Sequence, residues 1–462
     1  MATAALARAR PLLLPRFCKG CGRCIESCQH HCIEPGREID PETGLIPVVL
    51  HLEDCTACGL CIAACPEPYG LRAEDEIDEP APFELIDPDK LFGERARSAA
   101  PEDVPDERLA LPELAPLVVK GTYASAIGAL LAGCRHFFGY PITPSTEGAE
   151  LMAKLLPKLD GAFVQAVSEV AAINMMYGCG GAGTRAMTFT SSPGFSLMLE
   201  GLSYMVGAEV PGVVVDIMRG GPGLGNIGPE QADIKLACRG LGHGNTRAIV
   251  LAPATPQEML DLTMLSFDLS FLYRIPAVIL GDGYLGQMTG KVTLPRTMVK
   301  PGLPGWAVSG DGRHRGNLIS SIKLAEVDLE QHNKALIAKY AQIAAVQQRA
   351  ELFRCEDAEV LLVACNTPAR MAKGAVETLR SRGVEAGLFR PVTLWPFPIR
   401  ALLPLLPRAK RLFVVEASDG QLEDELRLAL SHAECVGTPP IESVRHYGGV
   451  LPQQQEIVER AL

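Results

Sequence analysis

Ala186-Met187-Thr188-Phe189-Thr190, followed by Ser191-Ser192-Pro193-Gly194 and then a helical pattern, is the stretch that decides the fold. A short apolar run that ends in small polar residues, Pro and Gly before helical periodicity begins reads as a strand feeding a helix. The same grammar repeats on both sides. Arg135–Gly139 runs into Tyr140-Pro141-Ile142-Thr143-Pro144-Ser145, and Ala162–Val167 runs into Ser168 and Glu169 at a helix start. Gly212–Met218 runs into Arg219 and the glycine-rich stretch Gly220 to Asn226. Strands alternating with helices imply a doubly wound, mostly parallel sheet, so this region is α/β. The alternation resumes at Val360–Ala364, Glu385–Phe389 and Arg411–Val415, with helices expected from Pro368, near Ile399 and from Gln421. Thr289 to Gly316 is irregular, and a long helix is expected over Ala325 to Phe353.

In open parallel sheets, ligands bind beyond the carboxyl ends of the strands. Four strand ends deliver Thr143, Glu169, Ser192 and Arg219 toward one edge. A hydroxyl, a carboxylate and a guanidinium there suit a small carboxylate ligand and proton transfer. Each residue also has an ordinary explanation. Thr143 before Pro144 suits a helix N-cap, Glu169 complements a helix dipole, and Arg219 would serve as a solvated loop charge.

The N-terminal region carries different chemistry. Cys18, Cys21, Cys24 and Cys28 follow C-x2-C-x2-C-x3-C, and Cys55, Cys58, Cys61 and Cys65 repeat it with Pro66 behind. This is the spacing of two-cluster iron–sulfur modules, in which the fourth Cys of each run ligates the other cluster. Cys18, Cys21, Cys24 and Cys65 are therefore assigned to one [4Fe–4S] cluster, and Cys55, Cys58, Cys61 and Cys28 to the second. The fourth Cys of each run is expected to start a short helix. Zinc sites instead pair two C-x2-C knuckles. Gln29 stands where Pro often follows the fourth Cys, and Cys32 reads as a buried spare thiol. The remaining cysteines read as core residues.

The organisation expected is a small α+β cluster module over 15–72, an acidic, Pro-rich tether over 73–116, an α/β domain over 117–290, a connecting arm and long helix over 291–354, and a second α/β domain over 355–462. With 47% hydrophobic residues and a net charge of −11 in 462 residues, the chain can bury cores, and it has no basic footprint for nucleic acid. No apolar run approaches the roughly 20 residues of a membrane span. Met1 to Leu14 reads as a frayed leader and not as a signal peptide, and the location expected is cytoplasmic.

Gly139 to Thr146, Ser168 to Asn174, Ser191 to Met198, Arg219 to Gln231 and Gly242 to Met288 resemble the α subunit of 2-oxoacid:ferredoxin oxidoreductases, nearest the branched-chain 2-oxoisovalerate type. The likeness runs from about Val118 to the C-terminus. The fused cluster module departs from the simplest members, which carry it on a separate subunit. The resemblance implies a pyrimidine-type thiamine-enzyme domain followed by a transketolase-C-terminal-like domain. It implies oxidative decarboxylation of a 2-oxoacid to acyl-CoA and CO2, with coenzyme A as co-substrate and electrons leaving through the clusters to ferredoxin or another acceptor. It further implies that Glu169 hydrogen-bonds the aminopyrimidine of thiamine diphosphate, that Arg219 pairs with the substrate carboxylate and that Thr143 contacts the substrate. Ser192 is a further cofactor-binding candidate.

Two motifs are decoys. Gly178, Gly180 and Gly183 satisfy G-x-G-x-x-G but close a helix and do not follow a strand. Gly281-Asp282-Gly283 resembles the start of a diphosphate-binding motif, but no Asn completes it, so a strand ending in a turn is the better reading. The diphosphate and Mg2+ site is thus expected on a thiamine-binding β subunit, with a γ subunit and a dimer of hetero-oligomers as the assembly. His243 reads as structural. The competing readings are a non-catalytic electron-transfer scaffold and a non-redox thiamine enzyme. The side chain of the 2-oxoacid stays open among branched, aryl, 2-oxoglutarate and pyruvate types.

Overall fold

The computed structural model describes residues 9–41, 44–67, 70–74 and 105–462. The chain divides into two compact units, Met1–Lys90 and Leu91–Leu462.

In the first unit, Pro11–Leu13 pairs antiparallel with Leu71–Ala73, and Ile33–Glu34 with Val49–Leu50. Leu12 and Leu13 therefore do not fray: they are held in a two-stranded ribbon. Two short helices, Arg23–Ser27 and Leu60–Ala64, lie between the strands. Each follows a glycine, Gly22 at φ 75° and Gly59 at φ 77°. That left-handed conformation is one other residues adopt at a cost. The helices thus begin before the third Cys of each run and end at the fourth, Cys28 and Cys65, which close them and do not start them.

In the second unit, a seven-stranded sheet runs in the spatial order Thr393–Trp395, Ile249–Leu251, Pro276–Asp282, Gly212–Met218, Ala186–Thr190, His136–Gly139 and Ala162–Gln165. All neighbours pair in parallel except the first two. Every residue of Ala186–Thr190, Gly212–Met218 and Pro276–Asp282 is buried, as expected for parallel strands covered by helices on both faces. A second sheet holds Ala350–Phe353, Ala386–Pro391, Val360–Val363, Arg411–Glu416 and Ile441–Arg445 in that order.

Two expectations about boundaries differ. The long helix spans Glu326–Val346, and Ala350–Phe353 is an edge strand antiparallel to Ala386–Pro391. Pairing with residues 35 to 41 positions away overrides the local helical composition there. Most of the expected 73–116 tether, 75–104, lies outside the described residues. Its end does not dangle: Glu107–Ala110 pairs with Thr297–Lys300, and Asp106 forms an ion pair with Arg185, which is 2% exposed. The Thr393–Trp395 strand, expected within the C-terminal domain, crosses into the first sheet beside Ile249–Leu251.

Candidate functional site

The eight paired cysteines line two cavities. Cys18, Cys21, Cys24 and Cys65 surround one, with Gly22, Val48 and Pro66. Cys28, Cys55, Cys58 and Cys61 surround the other, with His30, Cys32 and Ile33. Among the described residues, no three or more Cys, His, Asp or Glu converge closely enough to hold a single metal ion. In a cubane each thiolate binds its own iron, and two cavities with four cysteines each suit that arrangement. Cys32 is buried, and its backbone N–H donates to Cys28 Sγ at 3.3 Å.

In the α/β unit, four successive strands place their following residues at one sheet edge. Ser168 caps the Glu169–Gly181 helix by accepting from Ala171 N–H at 3.2 Å, and this fixes Glu169 as the first helical residue. Glu169 is 5% exposed, and among the described residues its carboxylate has no hydrogen-bond partner. It lies against Gly194, where an added Cβ would sit 2.6 Å from Glu169 Oε1 and 2.3 Å from Thr190 Oγ1. Only a residue without a side chain lets the start of the Ser192–Gly207 helix approach this carboxylate.

Arg219 is buried, not a solvated loop charge. Its Nη1 donates to the Thr143 carbonyl at 2.7 Å and its Nη2 to the Leu224 carbonyl at 3.2 Å, while Nε is buried without a partner. Its backbone N–H donates to Ser192 Oγ at 3.0 Å, and the Ser192 hydroxyl donates to Asp233. Arg219 is thus in direct contact with both Thr143 and Ser192. Thr143 contributes its carbonyl, and its exposed side chain caps no helix, because the next one starts at Thr146 behind Ser145.

Sequence reasoning missed Asp216 and Asp233. Asp216 is fully buried at the middle of Gly212–Met218, and Asp233 is 5% exposed. Burial and the neighbouring Asp233 push the Asp216 carboxyl well above the usual carboxylate range. Burial likewise raises Asp233. One acid inside Gly212-Val-Val-Val-Asp-Ile-Met218 was a visible signal; Asp233 carries no such local mark.

The decoys resolve plainly. Asp282 is fully buried and accepts from Tyr284 N–H at 3.0 Å, Leu285 N–H at 2.9 Å, Thr367 N–H at 2.8 Å and the Thr367 hydroxyl at 2.8 Å. Full burial and four donors make it a structural acceptor at the end of the Pro276–Asp282 strand. The Gly178–Gly183 stretch ends the Glu169–Gly181 helix and precedes a strand. His243 is exposed, edge-on to Tyr204.

Comparison with known proteins bears on these sites. Residues 127–350 match the family described as pyruvate flavodoxin/ferredoxin oxidoreductase, thiamine diphosphate-binding. Residues 358–457 match core domain II of pyruvate:ferredoxin oxidoreductase, and 17–68 match a 4Fe–4S dicluster domain. The ketoisovalerate oxidoreductase subunit VorB of Methanothermobacter thermautotrophicus is 45% identical over 349 residues, covering 75% of this chain and 97% of that protein. The 2-oxoglutarate synthase subunit KorA of Methanocaldococcus jannaschii is 36% identical over 369 residues, covering 74% and 98%. Among solved structures, the 2-oxoglutarate:ferredoxin oxidoreductase from Magnetococcus marinus, with 2-oxoglutarate, coenzyme A and succinyl-CoA bound, aligns with a TM-score of 0.68 at 26% identity. That alignment covers 75% of this chain and 64% of the other.

Proposed function

Because the chain belongs to the family of 2-oxoacid:ferredoxin oxidoreductase subunits, we propose that it forms the pyrimidine side of a thiamine-diphosphate-dependent active site acting on a branched-chain 2-oxoacid. The reaction is oxidative decarboxylation to acyl-CoA and CO2. When bound, thiamine diphosphate supplies the carbanion chemistry and the two clusters accept electrons singly.

The observation that carries the reading is the contact of Arg219 with Thr143 and Ser192 at the sheet edge where Glu169, with no hydrogen-bond partner among the described residues, opens its helix. The Thr143 and Leu224 carbonyls on its two Nη atoms fix the guanidinium plane of Arg219, whose charge suits a substrate carboxylate. Glu169, held at the helix start and pressed against Gly194, is positioned to exchange a proton with a ring nitrogen. In the first unit, Cys18, Cys21, Cys24 and Cys65 hold one cluster, and Cys28, Cys55, Cys58 and Cys61 the other, a division supported by the two cavities.

With Asp282 committed inside the fold, the diphosphate and Mg2+ are held by a partner β subunit. Exposed apolar side chains at the same sheet edge support such a partner: Val167 is 88% exposed, Leu224 82% and Ile227 61%. A branched-chain substrate is favoured by the higher identity to the ketoisovalerate relative than to the 2-oxoglutarate one. Among the described residues, no helix is long and apolar enough to cross a membrane.

The test is steady-state kinetics on the assembled complex with a panel of 2-oxoacids and coenzyme A. Glu169→Gln is expected to lower kcat for every 2-oxoacid with a smaller change in KM. Arg219→Ala is expected to lower kcat/KM about 10- to 150-fold, the loss of a charge-assisted pair, with cluster iron retained. Wild-type turnover by both variants would leave the electron-transfer scaffold as the better reading.

A further inference from the structure

Two acidic side chains lie beneath the site and the mechanism does not use them. Asp216 sits between Thr190 and Leu280 in the register of its neighbouring strands, and neither of its carboxyl oxygens has an N–H or O–H donor. Asp233 comes from the loop that returns after Gly220–Asn226, and its carboxyl is the charged neighbour that acts on Asp216. Two neighbouring carboxyls buried this deeply are stable together only if one keeps its proton, and the fully buried one keeps it at lower cost. Among the described residues, no Lys or Arg side chain pairs with either. The titratable groups facing them are each other and Glu230, whose Oε2 accepts from Gly221 N–H at 3.1 Å and Gly448 N–H at 3.0 Å.

The pair is not isolated. Asp233 accepts from the Ser192 hydroxyl, and Ser192 Oγ accepts from the Arg219 backbone N–H at 3.0 Å. Ser192 and Asp233 also line a cavity of about 570 Å3 with Gly220, Gly221 and Tyr447, so the chain of hydrogen bonds runs from the sheet interior to an open cleft. A buried acid pair is expensive for the fold, and such costs concentrate where a site needs a fixed geometry.

We propose that Asp216 and Asp233 are positioning residues: Asp216 donates its proton to Asp233, Asp233 orients the Ser192 hydroxyl, and Ser192 holds the backbone of Arg219 so that its guanidinium meets the substrate carboxylate. The inference rests on the assignment of Arg219 to that carboxylate. It requires a neutral donor at 216. Loss of the Asp216 proton places a second negative charge against Asp233, loosens Ser192 and weakens the hold of Arg219 on an anionic substrate.

The test uses the whole complex and follows KM for the 2-oxoacid against pH. Asp216→Leu and Ser192→Ala are expected to raise KM about tenfold with a smaller change in kcat. Asp216→Asn, whose amide still donates to Asp233, is expected to bring KM back to within about twofold of wild type. Wild-type KM is expected to rise as pH becomes alkaline, and the Asn variant is expected to show no such rise. An Asn variant with the same alkaline rise, or a Leu variant with unchanged KM, overturns the proposal. If Asp216→Leu fails to assemble, as read from melting and iron content, Ser192→Ala and the wild-type-against-Asn pH profiles decide the matter alone. Arg219→Ala measured alongside separates the two failures. Unchanged KM there removes the parent reading, whereas a raised KM there with none for Ser192→Ala removes only this one.

Discussion

Replacing Gly194 by Ala tests the site through a single methyl group. The new Cβ would sit 2.6 Å from Glu169 Oε1, 2.9 Å from Glu169 Cγ and 2.3 Å from Thr190 Oγ1, where ordinary contact begins at 3.4 Å. Thr190 is buried in a central strand and β-branched, so it cannot give way by rotating freely. The Glu169 carboxylate must therefore retreat by about 0.8 Å, from 2.6 to 3.4 Å. A misplacement near 1 Å costs about 10²-fold in rate, or about 2.7 kcal/mol of barrier. The expected result is a fall of about 10²-fold in kcat for every 2-oxoacid. The accompanying stability loss should fall toward the high end of the ~1–3 kcal/mol typical of overpacking, because the buried Thr190 hydroxyl at 2.3 Å cannot move aside as the carboxylate can. The assay is 2-oxoacid-dependent dye reduction with coenzyme A in the assembled complex, with melting and iron content recorded on the same samples. Gly178→Ala is the control, on the Glu169–Gly181 helix: its Cβ meets nothing within 4 Å, and helix propensity predicts a gain of up to ~1 kcal/mol with activity retained. A Gly194→Ala enzyme with kcat within about twofold of wild type would refute the placement of Glu169 at the reacting centre.

Protein prepared without oxygen should carry about eight iron and eight sulfide per chain, and Cys65→Ser should disturb the cluster held with Cys18, Cys21 and Cys24; stoichiometric zinc would overturn both assignments. The isolated chain should not decarboxylate any 2-oxoacid, and adding the thiamine-binding partner should restore turnover; robust activity from the single chain would contradict the division of the site. Asp282→Ala strands three N–H groups and a hydroxyl in the interior and should cost about 3–5 kcal/mol in denaturant unfolding, equally with and without Mg2+. Glu209 is a test of pH dependence: burial alone would raise its carboxyl, but Lys339, with Arg274 and His332, brings it below the usual range. A depressed folded value stabilises above the unfolded pKa of about 4.3 and is lost as pH falls through the folded value, so the melting difference between wild type and Glu209→Gln should shrink on acidification. A constant difference across that window would show that the pair contributes nothing through ionisation.

How much of this was legible beforehand depends on how far apart in the chain the deciding atoms lie. Ala186–Thr190 and Gly212–Met218 are strands over the residues expected from the sequence, because a buried parallel strand must be a continuous apolar run and that run is local. The two cysteine runs were equally readable, since their spacing itself dictates how thiolates converge, although the helix-starting glycines moved the helices ahead of the fourth Cys. Strand direction also placed Thr143, Glu169, Ser192 and Arg219 at one sheet edge, because the residues that follow parallel strands must emerge on the same side. The rest required atoms distant in sequence to meet. Ala350–Phe353 became a strand because Ala386–Pro391 offered it an edge, and the first sheet gained Thr393–Trp395 for the same reason. That Asp282 is a structural acceptor was decided by Thr367, 85 residues away. Asp233 reaches Ser192 across 41 residues, and burial together with Asp233 raises the Asp216 carboxyl inside the sheet. Local pattern determined which residues could serve the site; long-range packing, through burial and the donors it supplied or withheld, decided which of them were free to do so.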